Sequence, residues 1–254
     1  MIFDLLFNKK KNYYEDVKER FYTDLHTHIL PSVDDGSIDM DMSLEMIYTE
    51  VKQGARYLIL TPHFRFEEND IDIIRDEFSK LQQIVKDADL PIELYLGGEI
   101  YYDTSTIEKL VSGQILTMAD TRYVLVEFSP TVAFQYLTHA MDELLMAGYY
   151  PILAHVERYQ FIAEDFSKVE ELIDKGVYIQ VNANSFLNHP KKKTLIRLLK
   201  DGDIHFVGTD CHRTDWRPVN LQETCRYLAD YIDREDYCRV FFENPQKLLN
   251  NEII

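Results

Sequence analysis

The residues near the start of the chain that could do chemistry are His26 and His28, followed by a short acidic turn over residues 34–36. If residues 22–26 form a strand, its period of two directs both imidazoles to one face at the end of that strand. Two imidazoles in this arrangement make half of a metal site. Taken alone, the pair fits exposed or core histidines equally well, so the rest of the chain has to decide.

Histidine, aspartate and glutamate recur at intervals along the chain. The candidate metal ligands are imidazoles and carboxylates, namely His26, His28, Asp35, His63, Glu99, Glu127, His155, Asp210 and His212. This set is too large for one ion, which implies two or three, and mixed nitrogen and oxygen ligands suit Mn, Fe or Zn. Clustered ions of this kind activate a water molecule and stabilise in-line displacement at phosphorus. Phosphoester hydrolysis is therefore the leading reaction class.

Two arginines follow candidate ligands closely. Arg158 lies three residues after His155, and Arg217 lies five residues after His212, so both are expected on loops beside the ions. A guanidinium fork matches a phosphate bidentately. The alternative for either arginine is a surface salt bridge with one of the many acidic residues.

Strand and helix patterns alternate from residue 22 onward, and this alternation would position the candidate ligands. Short β-rich runs occupy residues 22–26, 56–61, 92–97, 122–127, 150–155, 177–182 and 204–209. Amphipathic stretches such as 39–53, 70–88 and 134–147 separate them, and residues 218–251 read as closing helices. Several helical stretches end in a glycine just before the next strand, where an αL cap belongs: Gly54, Gly148, Gly176 and Gly202. The pattern predicts an α/β barrel of seven parallel strands.

The candidate ligands fall at the ends of these predicted strands. Six of the seven runs end in, or are followed by, a histidine, aspartate or glutamate of the set. In a barrel of parallel strands the carboxyl ends form one face, and that face holds the active site. Separate segments would thus complete the site begun by His26 and His28, which predicts a metal centre.

Length and charge limit the class of protein. A chain of 254 residues fits one barrel of strands and helices as a single domain. The net charge of -17 argues against a broad basic face that would bind DNA or RNA. An anionic partner would therefore have to be bound locally, by a metal ion or an arginine. Cys211, Cys225 and Cys238 show no disulfide framework, which fits a reducing, cytoplasmic setting.

The first 21 residues differ from the rest, and we interpret them as an N-terminal extension before a single domain over residues 22–254. The apolar run 2–7 is far shorter than a membrane span, and lysines 9–11 follow it rather than precede it as in a secretory signal. An ordinary terminal arm folded on the barrel is the favoured interpretation. The alternative is a weak tether to a membrane surface or a partner.

Several motifs, in their order along the chain, resemble those of a known family. They are residues 26–36, 61–63, 98–99, 121–128, 154–158 and 209–212. Together they resemble the bacterial tyrosine phosphatases of the polymerase-and-histidinol-phosphatase (PHP) superfamily, the kind associated with capsule and exopolysaccharide operons. The resemblance implies a distorted TIM-like (β/α)7 barrel, a manganese-preferring centre of several ions, and removal of phosphate from tyrosines, typically in the tail of a cognate tyrosine kinase. Family members often begin almost directly at the first strand, so the extension departs from the pattern.

Carried over by position, the resemblance implies that the nine candidates are the metal ligands and that Arg158 and Arg217 bind phosphate. In the mechanism that follows as a hypothesis, a metal-bridging hydroxide attacks phosphorus opposite the tyrosyl oxygen. Phenolate is a fair leaving group, because tyrosine has a pKa of about 10, and the demand for a general acid is modest. Asp35 or a nearby histidine such as His212 could serve, and the sequence does not choose between them.

Other functions use the same residues differently. Another phosphoesterase of this superfamily, acting on histidinol phosphate or a nucleotide, would use the same ions, and a non-catalytic module would hold a phosphotyrosine tail without hydrolysing it. Cys211 and Arg217 also match the C-x5-R spacing of thiol-based phosphatases, but the segment lacks a glycine to shape a phosphate cradle. Aromatic residues after the ligand-bearing strands either frame the substrate's phenyl ring or pack in the core: Phe64, Phe66, Tyr101, Tyr102, Phe128 and Phe134.

Overall fold

The computed structural model describes Tyr14, residues 22–65 and residues 70–254. The interpreted extension, residues 1–21, lies outside these residues except for Tyr14, which is buried. The described strands are β1 (Tyr22–Thr27), β2 (Ala55–Leu60), β3 (His63–Phe64), β4 (Glu93–Leu96), β5 (Glu99–Tyr101), β6 (Tyr123–Glu127), β7 (Tyr150–Leu153), β8 (Tyr178–Asn182) and β9 (Phe206–Gly208). All recorded strand pairs are parallel, which confirms the predicted α/β fold with parallel strands.

Helices connect the strands and follow the last of them. They are α1 (Met40–Gln53), α2 (Ile71–Asp87), α3 (Thr106–Val111), α4 (Phe134–Met146), α5 (Gln160–Glu164), α6 (Ser167–Asp174), α7 (Ala183–Asn188), α8 (Lys192–Asp201), α9 (Leu221–Leu228), α10 (Arg234–Cys238) and α11 (Asn244–Leu249). Short 3-10 turns lie at Met118–Asp120 and Val156–Arg158, and a π-helical turn spans Arg239–Glu243. The predicted closing helices are therefore present, divided into α9, α10 and α11.

The predicted glycine cap ends α1, and a side-chain cap that was not predicted begins it. Asp39 caps its first turn, because the side chain accepts a hydrogen bond from Met42 N at 2.8 Å. Gly54 ends the helix at a φ of 103°, a left-handed conformation that glycine adopts without steric cost. This cap leads directly into β2.

Two of the predicted strands are each followed, after a two-residue break, by a further short strand. Thr61 and Pro62 separate β2 from β3, and residues 97–98 separate β4 from β5, giving a three-stranded sheet β1-β2-β4 and a six-stranded sheet β3-β5-β6-β7-β8-β9. Hydrogen bonds bridge the interruption, since Gly97 N donates to Leu60 O at 2.8 Å and Glu99 N donates to Pro62 O at 3.0 Å. The count of seven barrel units stays a prediction.

Backbone hydrogen bonds also join the first strand to the last. His28 N donates to Cys211 O at 2.8 Å, and Asp210 N donates to His26 O at 2.8 Å. Thr27 and Cys211 form a parallel bridge at the same place. The sheet is therefore curled, and the residues after β9 lie beside the end of β1.

A β-bulge in β1 determines where the first histidines lie. Asp24 pairs with Leu58 and Thr27 pairs with Leu60, so three steps along β1 oppose two along β2. An extra residue of this kind redirects the side chains that follow it. Asp24 lies beside Glu50 of α1, whereas His26 lies on the inner face of the sheet against Glu99.

Apolar side chains fill the inner face of the curled sheet below the histidines. This inner cluster includes Leu25, Ile59, Leu125, Ile152 and Phe206, with Leu248 of α11 packed against them. A larger cluster lies between the strands and the helices. Both faces of the strands are therefore covered, as is usual for parallel sheets.

Candidate metal centre

Four histidines surround the carboxylate of Glu99, which begins β5. Its Oε2 lies 3.3 Å from His26 Nε2, 3.3 Å from His28 Nε2 and 3.0 Å from His63 Nδ1. Its Oε1 lies 2.7 Å from His155 Nε2. All five side chains are buried. The structure therefore brings together residues that the sequence separates by as many as 129 positions, from His26 to His155.

The carboxylate of Asp210, two residues after β9, faces two kinds of partner. Its Oδ1 lies 3.6 Å from His26 Nε2 and 3.4 Å from His28 Nε2. Its Oδ2 accepts hydrogen bonds from Arg158 and Arg217, and from Asn182 Nδ2 at 2.6 Å. Asp210 thus links the histidines to both predicted phosphate-binding arginines.

The remaining candidates form the outer edge of the cluster. Asp35 Oδ1 lies 3.4 Å from His63 Nε2 and 3.6 Å from His212 Nε2. Glu127 Oε1, at the end of β6, lies 3.3 Å from His63 Nδ1, and its Oε2 lies 3.6 Å from His155 Nε2. Asp35 is about half exposed (51%), so the cluster opens to solvent on this side. All nine predicted ligands lie in one connected cluster.

The donor atoms lie close enough together to hold metal ions. Three sets each place their nitrogens and carboxylate oxygens within 4.8 Å of one another: His28, Asp35, His63 and His212; His26, His28 and Asp210; and His63, Glu99 and Glu127. Within the described part of the chain, the buried atoms Glu99 Oε2 and His155 Nδ1 make no hydrogen bond. Buried polar atoms without hydrogen bonds, among imidazoles and carboxylates only, fit divalent ions.

The protonation states of His26, His212 and Glu99 favour metal binding. Burial lowers the pKa of His26, and burial together with neighbouring His28 lowers the pKa of His212 to about 3. Burial would raise the pKa of Glu99, but the imidazoles around it, led by His26, hold that pKa well below the usual range. Neutral imidazoles and ionised carboxylates are the forms that coordinate metal ions.

Two supporting residues fix the orientation of these ligands. Asp34 Oδ2 lies 2.8 Å from His28 Nδ1 and accepts a hydrogen bond from His63 N at 3.1 Å. Gln180 Oε1 lies 3.3 Å from His26 Nδ1 and accepts from His155 N at 2.6 Å. Partners of this kind hold an imidazole in the tautomer that binds metal.

Sequence reasoning missed Gln180 and Asn182 because the predicted strand 177–182 offered no ligand. The signal was nevertheless present. Two amide side chains two residues apart in an otherwise apolar strand lie on the same face, and that face is the inner one. Asp34 was overlooked beside the predicted ligand Asp35.

Two glycines allow the backbone to pack closely against His28 and His26. A Cβ atom on Gly36 would lie 2.1 Å from His28 O, and one on Gly208 would lie 2.7 Å from His26 Cβ. His155 and Asp210 have φ values of 34° and 54°, in the left-handed region that disfavours side chains. Such conformations concentrate at functional sites, where the surrounding structure enforces them.

A third arginine lies at the edge of the cluster. Arg65 follows β3, and its Nη2 lies 3.0 Å from His63 Nε2 and 3.2 Å from Glu127 Oε1. Its side chain is 45% exposed. Arg65 was not predicted as a site residue. It follows His63 by two positions and belongs to none of the motifs identified in the sequence.

The thiol alternative is incompatible with the environment of Cys211. This side chain is fully buried, and its Sγ lies 3.9 Å from Glu50 Oε1. Burial, together with the charges of Glu50 and Asp24, raises the pKa of the thiol well above its usual value. A neutral, inaccessible thiol is a poor nucleophile.

The aromatic candidates separate into several groups. Phe64 packs so closely on Gly98 that a Cβ there would meet its ring at 2.5 Å. Phe134 packs on Phe161 with ring centroids 4.9 Å apart. Phe66 lies outside the described residues. Tyr101, Tyr102 and Phe128 instead line a pocket beside Glu127.

Within the described residues, no helix has the length and apolar character needed to cross a membrane.

The described residues also contain Cys211, Cys225 and Cys238 as free thiols, in agreement with the prediction that they form no disulfide framework.

Sequence comparison places most of the chain beside proteins of capsule synthesis. Residues 22–250 match the family model described as capsular polysaccharide synthesis, CpsB/CapC. The tyrosine-protein phosphatase CpsB of Streptococcus agalactiae is 33% identical over 241 residues, which cover 91% of this chain and 99% of the relative. The tyrosine-protein phosphatase YwqE of Bacillus subtilis is 31% identical over 236 residues, which cover 91% of this chain and 92% of the relative.

Structural comparison gives the same neighbours. One match is among the crystal structures of YwqE from Bacillus subtilis and CpsB from Streptococcus pneumoniae, described as unique metal-dependent tyrosine phosphatases. Its TM-score is 0.84 at 32% identity, covering 91% of this chain and 96% of that chain. The phosphotriesterase homology protein of Escherichia coli matches with a TM-score of 0.61 at 12% identity, over 91% of this chain and 99% of that chain. At that identity the second match shows a shared fold alone.

Proposed function

Because the chain belongs to the CpsB/CapC family of capsular polysaccharide synthesis proteins, we propose that it is a metal-dependent protein-tyrosine phosphatase. Its relatives of 31–33% identity, matched over nearly their whole length, are named tyrosine-protein phosphatases, and the matching crystal structures are described as metal-dependent. The observation that carries the proposal is the convergence of four imidazoles on the buried carboxylate of Glu99, beside two arginines on Asp210. This arrangement suits a phosphate bound over clustered cations.

Nine side chains are the proposed metal ligands: His26, His28, Asp35, His63, Glu99, Glu127, His155, Asp210 and His212. We propose two or three divalent ions, since imidazole and carboxylate ligands without thiolate suit manganese, iron or zinc, and the resemblance to the PHP-type tyrosine phosphatases favours manganese among them. When bound, such ions supply an activated water and neutralise charge on the phosphate oxygens.

Arg158 and Arg217 are the proposed phosphate-binding residues. Both guanidinium groups contact Asp210 Oδ2, and their side chains are 38% and 28% exposed, so each retains donors toward the open side. Burial, followed by the repulsion of Arg158, lowers the pKa of Arg217 to about 10, which leaves it charged at neutral pH. Two fixed guanidinium forks orient the phosphate and stabilise the charge that develops during transfer.

The leaving tyrosyl oxygen needs a proton donor only weakly, because tyrosine has a pKa of about 10. Asp35 Oδ1 lies 3.6 Å from His212 Nε2, and of these two candidates Asp35 is the one at the exposed edge. His212 is buried, its pKa is lowered to about 3, and its Nε2 accepts a hydrogen bond from Arg217 Nη1 at 3.0 Å, so it has no proton to deliver at neutral pH.

We further propose that the substrate is a phosphotyrosine protein, such as the tail of a cognate bacterial tyrosine kinase, and that the protein works in the cytoplasm. The capsule-synthesis family supports this assignment. If β2 with β3 and β4 with β5 are each counted as one interrupted strand, the curled sheet corresponds to a distorted TIM-like (β/α)7 barrel. The bridging hydrogen bonds at Gly97 and Glu99 support that count.

The proposal is tested by hydrolysis of a phosphotyrosine peptide by protein stripped of metal and then given Mn²⁺. We expect Mn²⁺ to restore activity in the wild type and in Cys211→Ser, and not in His155→Ala. Activity that survives chelation but is lost in Cys211→Ser would instead indicate a thiol mechanism. Cleavage of histidinol phosphate or a nucleotide, with phosphotyrosine inert, would retain the fold assignment and overturn the substrate.

A further inference from the structure

We propose that a pocket at the carboxyl ends of β5 and β6 binds the aromatic ring of the substrate. The inference rests on the proposed function and specifies which part of the protein recognises tyrosine. The pocket has a volume of about 350 Å³ and is lined by Tyr101, Tyr102, Phe128, Thr131, Val132 and Tyr136, with Asp103 and Ser129 completing it. We call it the aromatic pocket.

The aromatic pocket adjoins the metal centre through the backbone of two ligand-bearing strands. Tyr101 lies two residues after Glu99 on β5, which places it about 6.6 Å further along the strand. Tyr101 pairs with Glu127 across the sheet, and Tyr102 N donates to Glu127 O at 3.0 Å. Phe128 follows Glu127 directly. The aromatic pocket therefore begins one residue after Glu127 and two residues after Glu99, at the edge of the cluster that contains the proposed phosphate site.

The walls of the aromatic pocket are arranged before any ligand arrives. The rings of Tyr102 and Phe128 are stacked, with centroids 5.4 Å apart and planes 27° apart. Tyr102 is held in place because its hydroxyl donates to Glu143 Oε2 at 2.5 Å. Tyr136 stands nearly perpendicular to both rings, at 6.4 Å from Tyr102 and 6.3 Å from Phe128. Edge and face contacts of this kind favour another aromatic ring.

Size and exposure also fit an aromatic occupant. A cavity of about 150 Å³ already accommodates benzene, so this pocket has room for a phenyl ring and part of the adjoining peptide. Tyr102 and Phe128 are buried, whereas Tyr136 is 43% exposed and offers uncovered ring surface at the pocket mouth. Covering that surface with the substrate ring would add apolar contact.

A second pocket beside the cluster is unsuited to a phenyl ring. It has a volume of about 380 Å³ and is lined by polar groups, including Asn182, Ser185, Thr209, Arg217, Asn220 and Glu223. An apolar ring placed there would take these groups from water without supplying hydrogen bonds, which is unfavourable. The polar lining of this pocket and the aromatic lining of the other therefore favour the aromatic pocket as the site of the ring.

Recognition of this kind predicts selectivity for tyrosine. The phosphate of phosphotyrosine is separated from its backbone by a ring that can enter the aromatic pocket, whereas phosphoserine has no ring to place there. The pocket would therefore raise kcat/KM for aryl phosphates relative to alkyl phosphates, without contributing to the binding of inorganic phosphate.

Two substitutions test the aromatic pocket from opposite directions. Tyr136→Ala removes one wall, and Thr131→Trp fills the space from an exposed position. Tyr231→Ala is the matched control, since Tyr231 is 44% exposed and packs on Tyr227, away from the pocket lining. With Mn²⁺-loaded protein, we expect the ratio of kcat/KM for a phosphotyrosine peptide to that for the matched phosphoserine peptide to fall about three- to tenfold in both pocket variants.

A binding measurement without turnover separates the pocket from the chemistry. Calorimetric titration compares phenylphosphonate, methylphosphonate and inorganic phosphate on the wild type and the three variants. We expect phenylphosphonate to bind the wild type more tightly than methylphosphonate, and this advantage to shrink in the two pocket variants while phosphate affinity is unchanged. An aryl advantage that persists in both pocket variants, or is absent from the wild type, would overturn the inference.

The same measurements distinguish failure of the pocket from failure of the proposed function. If the wild type leaves phosphotyrosine intact but cleaves a nucleotide or histidinol phosphate, the proposed function is overturned and the inference with it. If phosphotyrosine is hydrolysed but the pocket variants keep their selectivity and their aryl advantage, the pocket alone is overturned.

Discussion

Asp34 Oδ2 lies 2.8 Å from Nδ1 of His28, on the opposite side of the imidazole from the metal centre. The same carboxylate accepts hydrogen bonds from Gly36 N at 2.9 Å and His63 N at 3.1 Å. Burial alone would lower the pKa of His28, but the charge of Asp34, followed by that of Glu99, raises it to about 9. The contact with Asp34 therefore leaves Nε2 as the nitrogen that faces Glu99 and Asp210.

Removing the charge of Asp34 is expected to weaken metal binding without removing a ligand. We predict that Asp34→Asn lowers the affinity for Mn²⁺ about 10- to 100-fold, since partners behind a ligating histidine commonly have effects of that size. The measurement is calorimetric titration of metal-stripped protein. Asp174→Asn, at an exposed position in α6, is the control. Equal affinities in the two variants would contradict the role assigned to Asp34.

The bidentate geometry of the Arg217 guanidinium is expected to contribute more to catalysis than its charge alone. Arg217→Lys keeps a cation beside Asp210 but loses bidentate geometry, and we predict that kcat/KM for a phosphotyrosine peptide falls about 10- to 100-fold. Arg197→Lys, at an exposed position of α8, is the control. The measurement is steady-state kinetics at saturating Mn²⁺. Full activity in Arg217→Lys would show that charge alone suffices.

The positions of the ligands were predictable because parallel strands end at the same face. Each run that ended in a histidine or carboxylate was assigned to that face without knowledge of strand order, and the nine side chains lie together. The α/β pattern was also readable, since glycine caps such as Gly54 act within a few residues of the chain. Both are local properties of the sequence.

Other features depend on partners distant in sequence and were not predicted. The bulge in β1 exists only relative to the register of β2, where Asp24 pairs with Leu58 and Thr27 with Leu60. The interruptions at residues 61–62 and 97–98 likewise follow from pairing between strands. Tyr136 lies on α4 and forms part of the aromatic pocket only because its ring packs against Tyr102 and Phe128, which belong to other segments of the chain. No spacing rule within one segment reports such contacts.

His205 is expected to make stability depend on pH. Burial, with a smaller effect from Arg239, lowers its pKa to about 4, and Nδ1 accepts a hydrogen bond from Ile179 N at 3.2 Å. Because the folded pKa lies below the unfolded value of about 6.5, this stability is fully present above pH 6.5 and is lost as pH falls toward 4. The contribution amounts to at most about 3 kcal/mol.

We predict that His205→Gln reduces the loss of unfolding free energy between pH 7 and pH 4.5, as measured by urea denaturation of metal-stripped protein. Glutamine can still accept the hydrogen bond from Ile179 N but does not take up a proton. His139→Gln is the control, because that histidine is 71% exposed. A slope against pH that is the same in both variants would exclude His205 as the origin.

The buried carboxyl pair of Asp24 and Glu50 is expected to act in the opposite direction on the pH scale. Both side chains are fully buried, and Asp24 Oδ2 and Glu50 Oε2 have no hydrogen-bond partner within the described residues. Burial raises the pKa of both groups, and the charge of Asp24 raises that of Glu50 further. One oxygen of each group lies within 4.8 Å of the other, and two carboxyl groups this close cannot both ionise without a large cost.

A raised folded pKa contributes stability that is fully present below the unfolded pKa and is lost as pH rises through the folded value. Glu50→Gln removes the ionisation but retains an amide that can donate to Asp24. We therefore predict that Glu50→Gln is at least about 1 kcal/mol more stable than the wild type at pH 8, with a smaller difference at pH 5. Urea denaturation at the two pH values measures this, with the exposed Glu45→Gln on the same helix as control. Destabilisation of Glu50→Gln at pH 8 would show instead that the ionised pair is compensated by a partner such as a bound cation.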